Sequence, residues 1–371
     1  MITIKKVQTK RDLKRFTTFP NKLFKHEPNF VPALSIDEMR VFDKKKNPAH
    51  EYCDSQCFLA YRDGKLVGRI AGIINHAWNE AKQTKIGRFS RIDMIDDIEV
   101  TKALIEAVTE WNRSKGMDTL IGPIGFTDLD RMGMLVEGFD YLNMFITIWN
   151  PPYYHKHLES LGFVKDVDWI EKRIMLTSIP EKITKVSDII RKRYGFKLIT
   201  LKKRKEVMKY IYPAFKMYNV AFNELYGFYP ISDKVMDYYI KQMISIVKLD
   251  YLWFVLDSED QVAGFGLMMP SLALANKKSQ GRLFPFGFLR ILKALKKHDV
   301  VDLYFIAVDP KHQGKGLPAL MLEDGIKKAM KQGIQFAETG PELENNLAIQ
   351  AQWKDFDYIN HKRRRCYTKP I

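Results

Sequence analysis

The chain has 371 residues, 46% of them hydrophobic and 12% aromatic, and a formal net charge of +16. Its length exceeds the roughly 100–200 residues of a single domain and predicts two or three. No run reaches the ~18 apolar residues of a membrane span, and Met1 to Val7 lack the layout of a signal peptide, so a soluble cytoplasmic protein is expected. Three cysteines, Cys53, Cys57 and Cys366, exclude a disulfide framework. With only His50 nearby, Cys53 and Cys57 read as reduced thiols, and no metal is expected. Positive charge comes in short clusters at Lys44–Lys46, Arg191–Arg193, Lys202–Lys205, Lys293–Lys297 and Arg363–Arg365. Such clusters suit anionic partners, whether a phosphorylated cofactor, an acidic substrate or RNA, and suit a solvated face equally well. None is a recognisable nucleic-acid motif.

From the N-terminus, Ile2 to Lys14 reads as a strand followed by a helix start. Phe58 to Gly72 alternates around a central Asp63-Gly64 and predicts an antiparallel hairpin. Ile92 to Val100 has no glycine and four carboxylates. A helical pattern ending at Gly116, a short strand and Gly122-Pro123 follow. The stretch Gly122 to Tyr141, rich in glycine, acids and aromatics, reads as a lid, an acceptor-binding loop or an irregular surface connection. Leu158 to Phe163 closes this half. The join falls near Thr177 to Pro180, and Glu181 to Tyr194 forms a connecting helix.

The same order then recurs at a nearly constant offset. Lys197 to Lys209 repeats the strand and helix start, and Leu252 to Gly266 repeats the hairpin, with Gly264 matching Gly68. An insertion, Ser271 to Asp299, separates the hairpin from the next strand and contains an amphipathic stretch, Leu289 to Lys297. Tyr304 to Val308, the turn Gln313-Gly-Lys-Gly316 and the pattern from Ala319 to Ile326 predict strand, glycine loop and helix. A helix ending at Gly333, a strand and Gly340-Pro341 follow, then Ala351 to Phe356 and a last strand with Arg363 to Thr368. Each half thus runs strand, helix, hairpin, strand, helix, strand, helix, strand. We expect an α/β fold of two tandem domains, 1–178 and 179–371, each a mostly antiparallel mixed sheet flanked by helices.

Gly314 and Gly316 leave no Cβ between backbone amides and a ligand, and successive N–H groups at a helix mouth form an anion nest. Neither the Walker pattern nor the three-glycine dinucleotide pattern is present. The segment resembles the pyrophosphate loop of the GNAT superfamily of N-acetyltransferases, Gln/Arg-x-x-Gly-x-Gly/Ala, with Gln313, Gly316 and Pro318 at its three positions. Pro318 departs from the pattern and has no N–H to give, although proline suits the first turn of a helix.

The resemblance implies acetyl-CoA or another acyl-CoA as donor and an amine of a small molecule or peptide as acceptor. It implies that the backbone of Ile306, Ala307 and Val308 receives the pantetheine arm. Gln313, Gly314, Lys315, Gly316 and Leu317 would hold the pyrophosphate, and Asn346 would steady the arm. Glu338 is the first candidate for the base, with Asp302 and Tyr304, which share a strand face by period two, as alternatives; for each, a capping or pairing role stands beside the catalytic one. Asn223, Glu224, Tyr226 and Phe228, within Asn219 to Tyr229, are the candidates for gripping the acceptor, while core packing would explain the aromatics as well. The insertion Leu283 to Leu295 would line the same groove or extend a channel for a longer acyl chain. The tyrosine that protonates the thiolate in many relatives is replaced by Gln352 beside Trp353, leaving Tyr358, Tyr367 or solvent for that role. The first half, with carboxylates in place of the loop, reads as scaffold, acceptor-pocket wall or homodimer surface. Two other readings stay open: an aminoacyl-tRNA-dependent transferase of the same fold, and an acyl-CoA-binding protein without turnover.

Overall fold

The computed structural model describes residues 1–371. The first elements are β1 (Ile2–Lys6), α1 (Lys10–Leu23), α2 (Ser35–Val41), β2 (Cys53–Arg62), β3 (Lys65–Asn75), α3 (His76–Lys82) and β4 (Ile86–Met94). Then come α4 (Ile98–Arg113), β5 (Thr119–Gly122), β6 (Met134–Glu137), α5 (Tyr153–Ser160) and β7 (Val164–Met175). The connector α6 (Glu181–Arg193) leads into β8 (Lys197–Ile199), α7 (Arg204–Ala221), α8 (Asp233–Met243), β9 (Leu252–Leu256) and β10 (Val262–Pro270). The inserted helices are α9 (Ala273–Lys278) and α10 (Gly287–Lys296), followed by β11 (Val300–Val308), α11 (Leu317–Lys331) and β12 (Phe336–Thr339). Last are β13 (Glu342–Leu343), α12 (Leu347–Gln352) and β14 (Tyr358–Pro370).

Two compact units form from non-contiguous segments. One holds Met1–Ile170, Leu272–Ile291 and His361–Ile371; the other holds Glu171–Ser271 and Leu292–Asn360. In the first unit the strands run β1-β2-β3-β4-β5-β14-β7, with β6 on β14. There β4 and β5 are parallel, while β1–β2, β2–β3, β3–β4 and β5–β14 are antiparallel. The second unit runs β7-β12-β11-β10-β9-β8, with β13 on β7. Here β11 and β12 are parallel and the other neighbours antiparallel. The internal repeat is therefore a repeat of topology, β1 to β5 corresponding to β8 to β12.

Local chemistry accounts for the elements. Asp63 and Gly64 both take positive φ, the backbone a two-residue hairpin between right-twisted strands requires. Thr9 caps α1 by accepting the Asp12 N–H at 3.1 Å. α4 buries Val100, Leu104, Ile105 and Val108, spaced for one helix face, against the core of Phe58, Ile70, Phe89 and Leu120. In the second unit α11 buries Leu317, Leu320, Met321 and Ile326 with Trp253, Val301 and Ala337.

Several stretches that looked exposed in sequence are interior. In Gly122 to Tyr141, Ile124, Phe126 and Leu135 are buried, so this stretch is part of the first unit's core rather than a surface connection. The cluster Arg363–Arg365 is consumed by internal pairs. Arg363 meets Glu137 at 3.1 Å, Arg365 meets Asp168 at 2.8 Å, and the buried Arg364 donates to Asn143 at 2.9 Å. Cys53 and Cys57 lie buried in β2, and burial pushes the Cys53 thiol up to about 12 and that of Cys57 higher. The insertion docks through α9 onto residues 21–35 of the first unit. The Asn276 amide donates to the Pro32 carbonyl, and the Ser35 N–H donates to the Gly281 carbonyl at 2.9 Å.

Candidate functional site

β11 pairs with β10 along its whole length, Ile306 opposite Gly266 and Val308 opposite Gly264. Its other edge pairs with β12 only from Val300 to Leu303, where the Gly340 N–H closes the ladder on the Leu303 carbonyl at 2.8 Å. Beyond that point the two strands part, and the edge carrying Ile306, Ala307 and Val308 is released from β12. A released strand edge offers backbone donors and acceptors to an extended ligand as it would to another strand.

The parting coincides with an irregularity. Leu303 pairs with Met268 and Phe305 with Leu267, so the ladder steps past Tyr304. This extra residue is a bulge, which re-aims side chains and bends the strand. The strict alternation expected to place Tyr304 on the face of Asp302 is therefore interrupted at Tyr304 itself.

After β11, the Asp309 side chain accepts the Lys311 N–H at 2.9 Å and caps a single 3-10 turn, Pro310–His312. Gln313 reaches back to the Val308 carbonyl at 3.4 Å. Gly314 and Gly316 take φ of 75° and 82°, and a Cβ on Gly314 would meet nothing within 4 Å, so the space above it is open. Gly316 caps α11. In the first turn Ala319 donates to the Gly316 carbonyl at 2.9 Å, Pro318 has no N–H, and the Leu317 N–H has no acceptor within the helix. Lys315 Nζ lies 3.1 Å from His312 Nδ1 and about 6 Å from the Tyr194 and Phe196 rings. Open glycine backbone, a free helix-mouth donor and lysine make a cradle that fits a pyrophosphate. Behind it stands α6. A Cβ on Gly316 would sit 2.8 Å from Val186 Cγ1 and 3.3 Å from Ile190 Cδ1, and Arg191 holds the buried Glu323 of α11 at 2.9 Å.

The acid–base candidates form a row across the sheet. Asp302 of β11 stands opposite Glu338 of β12, and Glu338 opposite Arg173 of β7. Both carboxyls are buried. Arg173 pairs with Glu338 at 2.6 Å and lies 4.3 Å from the Phe336 ring centroid. Glu338 is thus half of an ion pair that a positional motif gave no sign of, because the arginine comes from a strand 165 residues away.

A second network was missed altogether. Lys172, 1% exposed, reaches Glu342 at 3.0 Å and the Gln350 amide oxygen, and the Trp353 indole donates to the same Glu342 at 2.7 Å. Burial raises the Glu342 pKa against the pull of Lys172. Trp353, beside Gln352 where a tyrosine was sought, is buried and supports this carboxylate. Nothing in the sequence marks Lys172, which sits between Glu171 and Arg173 in an ordinary strand. Asn346 caps α12 by accepting the Ile349 N–H at 3.3 Å. Among the acceptor candidates, Asn223 and Glu224 are exposed and bond one another at 2.9 Å, and Tyr226 is half-buried. Phe228 is buried against Tyr218, ring centroids 5.6 Å apart, so it serves the core.

Residues 215–351 match the Acetyltransferase (GNAT) family. Over 371 residues the chain is 28% identical to Protein YghO of Escherichia coli strain K12, covering 98% of this chain and 94% of that protein. Over 376 residues it is 26% identical to the bacterial ceramide synthase of Caulobacter vibrioides, covering 98% and 96%. A solved tandem GNAT protein from the clavulanic acid biosynthesis pathway shares the fold at a TM-score of 0.56 and 12% identity, with 100% and 98% coverage. The family match over the second half, the mixed sheet and the near-full-length relatives support an acyltransferase-type enzyme. The segment 215–351 carries the GNAT family's sequence pattern, and the chain as a whole shares the fold of that solved tandem GNAT protein.

Proposed function

We propose that the protein is an N-acyltransferase whose donor is an acyl-CoA bound at β11, the Gln313–Leu317 loop and α11. The observation that carries this reading is the pairing of two features at one place: a strand edge released after Leu303 and a glycine cradle at the end of that same strand. The first suits the peptide-like pantetheine arm at Ile306, Ala307 and Val308, the second the pyrophosphate. The repeat at 1–178 is the scaffold half and that at 179–371 the donor half. Near-full-length likeness to a ceramide synthase supports an acceptor amine with a long apolar portion, since a ceramide is an N-acylated long-chain amino alcohol.

In such a transfer the neutral amine attacks the thioester carbonyl, the C–N bond forms, the C–S bond breaks, and the thiolate takes a proton. Within the row Asp302, Glu338 and Arg173, Glu338 receives the amine proton directly or through water, with Asp302 as the neighbouring alternative and Arg173 positioning it. No tyrosine stands at the α12 position used for the final protonation, so that proton comes from solvent or from Tyr358.

The test is calorimetry and thermal shift with CoA, acetyl-CoA and long-chain acyl-CoA, followed by amide formation from long-chain and short amines. Donor binding with turnover of a long-chain amine is expected. Failure of every CoA species to bind overturns the site. Binding without turnover on any amine converts the reading to a sensor, which the partnered Glu338 and the absent tyrosine favour.

A further inference from the structure

The insertion between β10 and β11 exposes apolar and basic side chains together. Within nine residues it exposes Phe284 (68%), Phe286 (63%), Phe288 (37%), Leu289 (51%) and Leu292 (51%), whereas the other exposed large apolar residues are scattered along the chain. A solvent-facing cluster of that kind marks an interaction surface. It is held in place rather than trailing. Gly287 and Ile291 face inward, the Phe288 N–H donates to the Leu283 carbonyl at 2.8 Å, and Arg290 donates to the Lys278 carbonyl at 2.7 Å. The Phe284 and Phe288 rings lie 5.8 Å apart.

Charge identifies what would cover this surface. Arg282, Arg290, Lys293, Lys296 and Lys297 are all exposed, and no Asp or Glu occurs from Arg282 to His298. A basic amphipathic helix with aromatic residues beside it inserts its apolar side at the boundary between headgroups and acyl chains, and its cations pair with anionic headgroups. A protein partner of matching apolar surface would not by itself call for five unopposed cations, and no helix of the chain is long and apolar enough to cross a membrane. We infer that Arg282–Lys297 is a docking surface for an anionic phospholipid bilayer, holding the enzyme at a membrane face. Such docking goes beyond acyl transfer and would present a lipid amine where it resides.

Vesicle flotation of the full chain tests this without any acyl donor, so its outcome is separate from the donor-site reading. Vesicles of phosphatidylcholine alone are compared with vesicles containing about 30 mol % phosphatidylglycerol. The chain is expected to float with the anionic vesicles, with binding at least about tenfold weaker on neutral ones and weakened by salt. The variant Phe284→Ser/Phe286→Ser/Leu289→Ser alters only exposed side chains and is expected to lose at least about tenfold in binding while keeping its thermal midpoint. Lys293→Ala/Lys296→Ala/Lys297→Ala, which leaves the Arg290 tether intact, is expected to abolish the preference for anionic vesicles with the same fold retained. Absence of vesicle binding by the wild type, or equal binding by the serine variant, overturns the proposal. So does a wild-type dimer in light scattering that the serine variant dissolves, since a second copy would then own the surface.

Discussion

The two strand-to-helix junctions, β4–α4 and β11–α11, are built on the same frame and finished in opposite ways. Each strand has a register shift against its antiparallel neighbour, at Arg69/Ala71 opposite β4 and at Leu267/Met268 opposite β11. Each pairs in parallel with the next strand for only three or four residues before parting from it. At α4 the Asp97 side chain then fills the helix mouth, accepting the Glu99 N–H at 3.0 Å and pairing with Arg62. At α11 the mouth is Gly316, with open space over Gly314. Beside β4 the chain folds back to fill the gap: Ile124 donates to the Phe89 carbonyl at 2.9 Å, and Arg88 holds the Gly125 carbonyl at 3.0 Å. Beside β11 the chain turns away, and β13 pairs with β7. The fold supplies a strand edge and a helix mouth in both units; in the first the returning chain and Asp97 fill them, and in the second the edge is left unpaired by β12 and the mouth is glycine.

The comparison breaks first at Gly316. Its φ of 82° and the 2.8 Å approach to Val186 leave no room for a side chain. Gly316→Trp is expected to abolish CoA binding, a loss of at least about 100-fold by calorimetry, together with about 1–3 kcal/mol of stability. A variant that bound CoA as the wild type does would remove the distinction between the junctions. Glu338→Gln separates chemistry from scaffold. As base, its loss lowers kcat about 100-fold with donor Kd unchanged; as Arg173's partner alone, it lowers the thermal midpoint and leaves kcat per folded molecule intact.

How much of this was legible depended on whether the signal was local. The glycine loop, both hairpins, the connector helix and the order of elements follow from turn residues and periodicity, which act over a few positions. Pairings across the chain do not. Arg173 beside Glu338, and Lys172 beside Glu342, lie in one strand whose charged run Glu171-Lys172-Arg173 looks like a solvent-facing stretch, although Glu171 and Lys172 are buried. The bulge at Tyr304 broke a period-two argument because one unpaired residue inverts the faces on either side of it. Phe228 read as an acceptor contact because an aromatic packed inside and one lining a groove look alike in sequence.

A smaller effect tests the closed half from within. Arg91, at the register shift of β4, is held by Glu38 at 3.0 Å and Asp130 at 3.3 Å, and Arg69 by Asp93 at 2.7 Å. Glu38, Arg69, Arg91 and Asp93 line a cavity of about 30 Å³, room for about one water. Burial raises the Glu38 pKa, but the charges of Arg91 and Arg131 and the Arg91 hydrogen bond outweigh it and hold it at about 2, against an ordinary 4.5. A depressed carboxylate contributes stability above its unfolded pKa and loses it as pH falls through the folded one, here between 4.5 and about 2. Glu38→Gln lacks that contribution. Urea unfolding should show it about 3 kcal/mol less stable than wild type at neutral pH, with the gap closing towards pH ~2. Asp93, pushed up to about 6 by burial with the Glu38 charge adding to the rise, titrates in both proteins and is less raised in the variant. A gap unchanged with pH would mean the pair is neutral in the fold.

The least disruptive change bears most directly on the asymmetry. Asp97→Ala removes the cap of α4 and the partner of Arg62, and a lost N-cap costs about 1 kcal/mol. Three features keep that junction closed even without the cap: Asp96 remains, pairing with His157 at 3.3 Å, Glu99 stays in the first turn, and Ile124 still fills the strand edge. Calorimetry should therefore return one CoA per chain for the variant as for the wild type, with the same Kd and a slightly lower thermal midpoint. A second CoA equivalent in Asp97→Ala would show that a single carboxylate had been suppressing a latent site. The filled strand edge predicts otherwise, because opening the helix mouth frees the pyrophosphate position and leaves the pantetheine position occupied by the protein's own chain.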